Sequence, residues 1–312
     1  MARTPADLLP RVVEIVLESS AELLRAYRSG SGREVIRLKE GEKPVTAADL
    51  RVADQLARGL SALLPEAAFV SAEKVVPGIP GSCGPGIDVP GSCGPGIDGT
   101  CPTWFVDPID GTRGFVDGGG DWTTSIGLAA RGRPVLGAIA QPTLGRLWTA
   151  VAGGHAREAY PESGESRVLV RPLDGKGDLS RARLACSRTP RPEVAAVRGR
   201  CASSLEVGST ALKMAMVARG DADLFVGGGS AWDTCAGEAI LRSAAGWASI
   251  ASFDAWLLDY SPAARRHPRG VIAAVDPRTY TEAWTAAALA RAGEPDDLYL
   301  ESLGRSMAKE GS

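Results

Sequence analysis

Histidine is nearly absent: the 312-residue chain has two, His155 and His267. Imidazole-based catalysis and histidine-rich zinc sites are therefore poor fits, and any metal held here should be held by oxygen. The six cysteines show no C-x-x-C spacing, which excludes a zinc ribbon and a disulfide framework and suits a reducing cytoplasm. Aromatic residues make up only 5%, and no apolar run approaches the length of a membrane span. A formal net charge of −2 offers no bulk attraction to nucleic acid or to a membrane surface. The first residues, MARTPADLLPRVVEIVLESS, carry glutamates within their apolar part and lack the layout of a signal peptide. They read instead as an amphipathic helix, with Leu9, Val12, Val13, Val16, Leu23, Leu24 and Tyr27 on one face.

What is present is ordinary globular material, 44% hydrophobic and 23% charged, long enough for one large domain or two lobes. Pro44-Val-Thr-Ala-Ala-Asp49 opens a second helix with apolar residues at helical spacing up to Leu64, and Pro65 ends it. A short strand at 68–70 leads to Ser71-Ala72-Glu73. Residues 77–100 are a Gly/Pro-rich insert with an internal duplication, GSCGPGIDVP then GSCGPGIDGT, whose composition predicts a surface loop. Strands are expected at TTSIGLAA, VLGAIAQP and 148–151, and a polar segment near 153–178 reads as a break between lobes. Strands and helices then alternate, with strands at 183–187, 204–207, 224–226 and 270–274 and helices at 192–200, 209–219 and 233–245, as in layered α/β architecture. The expected division is an N-terminal lobe over 1–175 and a C-terminal lobe over 176–312.

The chemistry concentrates in WFVDPIDGTRGF, residues 104–115. Trp104, Phe105 and Val106 read as the end of a buried strand, which Pro108 should stop because it cannot donate to a sheet ladder. Asp107 and Asp110 would then leave the sheet edge together, and carboxylates so close repel unless something positive lies between them. Asp49, Glu73 and Asp233 stand at other element boundaries. Thr46-x-x-Asp49 is also a capping box and Asp233 also an N-cap. Together the acidic residues suit an oxygen cage for hard cations such as Mg²⁺. Gly111-Thr112 allows the backbone to approach an anion closely, so the pattern points to phosphate ester hydrolysis.

DPIDGT, WDTCAG (232–237) and the upstream VTAAD resemble the inositol monophosphatase superfamily of magnesium-dependent, lithium-sensitive phosphatases. The resemblance runs from about residue 40 to 275. It implies a layered αβαβα sandwich with two lobes, with the site between them and two or three Mg²⁺ ions. Carried over residue by residue, it implies metal ligation by Glu73, Asp107, the carbonyl of Ile109, Asp110 and Asp233. Thr112, with Glu73 or Asp49, would orient the attacking water, and the Gly111 and Thr112 amides would hold the phosphate alongside Asp110 and Asp233. Ala72 stands where many relatives carry a second glutamate.

Within that superfamily, DPIDGTRGF followed by GGGDWTTSIGL, the GS-x-x-x-K pattern of Ser209 and Lys213, and Leu258-Asp-Tyr-Ser-Pro262 are similar to 3'(2'),5'-bisphosphate nucleotidases of the CysQ type. That similarity makes 3'-phosphoadenosine 5'-phosphate the expected substrate, with Ser209 and Lys213 meeting its second phosphate. The alternative is that Lys213 extends its amine to solvent. IAQPTLGRLWTAVAGG resembles histidinol-phosphate phosphatases instead, and an inositol, cyclitol or sugar phosphate remains an alternative. A catalytically inactive binding protein is the reading from another class, and a complete set of ligand residues speaks against it. The partner expected is a small phosphate ester, without nucleic acid or membrane, and a homodimer is left open.

Overall fold

The computed structural model describes residues 3–39, 43–73, 75–76, 101–172, 177–188, 191–245, 249–252, 258, 260, 267 and 270–291. The duplicated insert at 77–100 lies outside them.

The chain opens with α1 (Pro5–Ser29), capped by Thr4 and Asp7, each side chain bonding the other's backbone N–H. Its buried stripe is Leu8, Val12, Ile15, Val16 and Leu23, and Leu9, Val13, Leu24 and Tyr27 border the same core. A two-stranded antiparallel ribbon follows, β1 (Val35–Lys39) and β2 (Lys43–Thr46). Helix α2 (Ala47–Leu63) then leads into β3 (Ala68–Ser71), β4 (Val75–Val76) and β5 (Thr103–Asp110). After the short α3 (Thr112–Val116) come β6 (Thr123–Ala130), β7 (Arg133–Gln141), β8 (Arg146–Val151), β9 (Ala156–Tyr160) and β10 (Glu165–Leu169). Strands β3 to β10 form one sheet in the order β10-β9-β8-β7-β6-β5-β3-β4.

The second sheet, in the order β12-β11-β13-β15-β14, is built from β11 (Arg183–Cys186), β12 (Ser203–Glu206), β13 (Leu224–Gly227), β14 (Ser249–Ser252) and β15 (Val271–Ala274). Its helices are α4 (Pro192–Arg198), α5 (Thr210–Arg219), α6 (Ala231–Ala245) and α7 (Pro277–Arg291). Helices α1 and α2 cover one face of the large sheet; α6 packs on its other face beside α5, and α5 in turn meets the small sheet. Helices α4 and α7 close the far side of the small sheet. The result is the expected αβαβα sandwich. Three apolar cores fill it, one under α1 and α2, one around α5 and α6 between the sheets, and one under α4 and α7.

Two expectations are overturned. Strand β5 does not stop at Pro108 but runs on to Asp110. Asp107 pairs with Ser125 and Asp110 with Thr123, so three steps on β5 match two on β6, a bulge that absorbs the proline's missing donor. The polar segment 153–178 is not simply a break, since it contains the hairpin β9–β10 extending the large sheet. That hairpin is anchored by Glu158, which is fully buried. Its carboxylate meets Arg167 of β10 at 2.6 Å and Arg219, at the end of α5, at 3.0 Å.

Candidate active site

The bulge in β5 determines where the carboxylates go. Asp107 and Asp110 flank it at the C-terminal end of the strand, and Asp107 Oδ1 accepts from the Ile109 N–H at 3.0 Å. Asp233 is not the cap of α6 but its third residue, three positions past Ser230, and accepts from the Ser230 N–H at 2.7 Å. Asp107, Asp110 and Asp233 are all buried, and each offers an oxygen within 4.8 Å of the other two. Asp49 adds its charge to the same field around Asp107. It is 1% exposed and uses Oδ2 for the capping box, accepting from the Thr46 N–H at 2.7 Å and the Thr46 hydroxyl at 2.8 Å. The capping box expected at Asp49 is therefore present, and its charge also bears on Asp107.

This crowding has an electrostatic signature. Burial, then Asp233 and Asp110, push the Asp107 carboxyl well above the usual range. Burial and Asp233 push Asp110 up to about 6, against the pull of the Ala211 N–H and the Ser209 hydroxyl. Three buried carboxylates crowded this closely fit a hard, oxygen-seeking cation, whose charge would relieve the repulsion.

Glu73 follows β3 and is turned differently. Its carboxylate is 3.3 Å from Arg37 of β1, and its N–H donates to Ser71. Among the described residues it is not part of the close carboxylate triplet. Thr112 opens α3 and donates to the Ile109 carbonyl at 2.8 Å, which holds the hydroxyl and a proposed ligand oxygen together. Gly111 has φ +90°, and a side chain there would meet Asp121 O at 3.0 Å and Ser209 N at 3.1 Å. Only glycine suits that junction.

The structure gives Ser209 and Lys213 partners within the protein. Ser209 caps α5, and its buried hydroxyl donates to Asp110 Oδ2 at 2.7 Å; the Ala211 N–H reaches the same oxygen at 2.6 Å. Asp110 thus seats on the N-terminus of a helix in the other half of the molecule, where a carboxylate is favoured. Lys213 is 0% exposed. Its ammonium donates to the Val207 carbonyl at 3.0 Å and Ser187 Oγ at 3.1 Å, above the Phe225 ring at 5.4 Å. It neither reaches solvent nor faces an open surface, because helix α5 turns that side inward.

Asp121, within GGGDWTTSIGL, has no role that its sequence pattern reveals. Asp121 Oδ2 accepts from the Gly208 N–H at 2.5 Å and pairs with Arg188 at 2.7 Å, while its carbonyl accepts from the Ser209 N–H at 3.2 Å. Behind Asp233 lies a second overlooked network. The Tyr260 hydroxyl donates to Glu238 at 2.9 Å and lies 3.1 Å from Thr234 Oγ1, which is 3.3 Å from His267 Nε2. No local sequence pattern marks either set, since their members come from separate elements.

Two carboxylates at a strand bulge and a third in the first turn of a helix lie within a chain whose sequence matches a family model. That model, of the inositol monophosphatase family, covers residues 8–294. The chain belongs to the inositol monophosphatase family. As a member of this metal-dependent family it is a phosphatase of small phosphate esters. It is 27% identical over 257 residues to the 3'(2'),5'-bisphosphate nucleotidase CysQ of Shigella flexneri, covering 82% of this chain and 94% of the relative. It is 29% identical over 261 residues to inositol monophosphatase 2 of Saccharomyces cerevisiae, covering 77% and 83%. The fold is also that of the extragenic suppressor protein suhB from Bartonella henselae, with a TM-score of 0.70, 21% identity, and 90% and 98% of the two chains covered. No helix of the described residues is long and apolar enough to cross a membrane.

Proposed function

We propose that the protein is a Mg²⁺-dependent phosphomonoesterase of the cytoplasm whose substrate is a 3'(2'),5'-bisphosphate nucleotide such as 3'-phosphoadenosine 5'-phosphate. The observation that carries the phosphatase chemistry is the buried triplet Asp107, Asp110 and Asp233, with oxygens within 4.8 Å of one another. These three, the Ile109 carbonyl and Glu73 would hold the ions. Bound Mg²⁺ supplies Lewis acidity and positive charge for the phosphate oxygens. Thr112, fixed by the Ile109 carbonyl, orients the attacking water with Glu73 or Asp49, and the Gly111 and Thr112 amides receive the phosphate. The nucleotide preference is supported by the CysQ relatives, and not by Lys213, whose ammonium is occupied inside the protein.

An inositol phosphate is the second reading, favoured by the similarity to yeast inositol monophosphatase 2. Phosphate release from adenosine 3',5'-bisphosphate, inositol 1-phosphate and histidinol phosphate should be compared, each with Mg²⁺, with added Li⁺ and with EDTA. The proposal expects the largest kcat/KM on the bisphosphate, inhibition by Li⁺ and loss of activity in EDTA. A preference for inositol 1-phosphate would replace the substrate, and full activity in EDTA would remove the metal chemistry.

A further inference from the structure

A fully buried lysine is costly unless its charge is compensated and its donors are used. Lys213 makes hydrogen bonds of this kind in a particular place, to the Ser187 hydroxyl and the Val207 carbonyl. One of its two hydrogen-bond acceptors is the Val207 carbonyl, and the peptide unit that carries this carbonyl also carries the Gly208 N–H. In a trans peptide those two groups point in opposite directions within one plane. The ammonium therefore grips one edge of the plane, and the Asp121 carboxylate, 2.5 Å from the Gly208 nitrogen, grips the other.

The next residue is Ser209, so the orientation of this plane sets where α5 begins. From there the Ser209 hydroxyl and the Ala211 N–H both bond Asp110 Oδ2, and the Ser209 N–H returns to the Asp121 carbonyl. Each bond polarises its neighbour, as in any hydrogen-bonded chain at low dielectric. Thr123 of β6 closes the seam, with Oγ1 at 2.9 Å from Ser209 Oγ. Arg188 balances Asp121 from outside, its side chain 52% exposed.

We infer that Lys213 is a positioning residue: its ammonium fixes the Val207–Gly208 peptide plane, and through it the seam that aims Asp110 into the carboxylate triplet. On this view Lys213 acts on the metal ligand and not on the substrate, so its influence does not depend on whether the substrate carries a second phosphate. Only the activity arm of the test rests on the proposed phosphatase function.

The test uses the full chain with Lys213→Met, which keeps length and removes the donor, and Asp121→Ala, which releases the other edge of the same peptide. Hydrogen exchange of the metal-free protein is read at the amides of Gly208, Ser209 and Ala211. Both variants should speed exchange there about 10-fold or more, and the double variant should add little to the larger single effect. Kinetically, Lys213→Met should lower kcat about 10-fold or more and weaken Mg²⁺ activation, with KM changed less than about 3-fold on the substrate the wild type hydrolyses. A KM increase confined to a bisphosphate substrate, with unchanged exchange, would overturn the inference in favour of direct phosphate contact. A lower Tm with unchanged exchange at those amides and unchanged kcat would reduce Lys213 to filler. If Lys213→Met does not fold, Asp121→Ala alone decides, and unchanged exchange at Gly208 overturns the inference. A wild type without phosphatase activity would defeat the proposed function while leaving the exchange result to judge the seam.

Discussion

Asp107, Asp110 and Asp233 are arranged against the stability of the chain that carries them. Burial and mutual repulsion raise Asp107 well above the usual carboxylate range and Asp110 to about 6, whereas an unfolded aspartate titrates near about 3.9. Between those values the folded protein holds more protons than the unfolded one, so metal-free stability should fall as pH rises from about 4 through about 6. Replacing Asp107 with Asn removes one repelling charge with little change of shape. We expect Asp107→Asn to lower kcat on the order of 10²-fold or more while raising the Tm of the metal-free protein. Calorimetric scans in EDTA beside activity assays in Mg²⁺ check both halves, and a lower Tm in EDTA would show that the triplet is not under electrostatic strain. The same shift predicts proton release on metal binding. Apparent Mg²⁺ affinity should therefore rise as pH rises through about 6. Titration calorimetry at pH 5.5 and 7.5 in buffers of different ionisation enthalpy measures it, and affinity independent of pH would contradict the prediction.

At the scale of elements, the site depends on how closely α6 lies against the large sheet. Gly127 of β6 and Gly137 of β7 pair across the ladder. A side chain at Gly127 would meet Ala236 N at 2.7 Å, and one at Gly137 would collide with the Ala236 carbonyl on the same helix. These glycines let backbone meet backbone, and α6 carries Asp233. Gly137→Ala should therefore push the helix outward and cost about 3 kcal/mol, the upper part of the usual overpacking range. Chemical denaturation measures this loss, and turnover should fall as Asp233 shifts. Wild-type stability together with wild-type kcat would show that the helix can move aside freely. Glycine in a strand pattern hints at such close approach, but TTSIGLAA and VLGAIAQP do not say which helix comes near.

For the whole molecule, the 77–100 insert is the largest departure from an even sequence. Deleting residues 80–98 should leave stability within about 1 kcal/mol, because loop-closure entropy changes slowly with length. Thermal melts of the shortened chain test this, and loss of folded protein would mean that the insert contributes to the core. Changed substrate preference with an intact melt would instead link the insert to the region of Glu73.

Read alone, the sequence settles the fold class and singles out Asp107, Asp110 and Asp233, which the fold brings together. Binary patterning and helix caps depend on neighbours within a few residues, so α1, α2 and the alternating second half were legible, as was the DPIDGT segment that delivers Asp107 and Asp110. The hairpin β9–β10 was not, because it forms a polar sheet edge with exposed positions such as Glu165, Ser166 and Arg167, and because the charges that anchor it pair across three elements. Pro108 misled for a related reason: whether a proline ends a strand or sits in a bulge depends on the register of the neighbouring strand. Which partners Ser209 and Lys213 find inside the protein is visible in the tertiary structure alone. In sequence they are a hydroxyl and a cation one helical turn apart, free to meet a phosphate. In the fold Asp110 and the Val207 carbonyl meet them, because packing α5 between two sheets removes water from the lysine and turns its charge toward partners inside the protein.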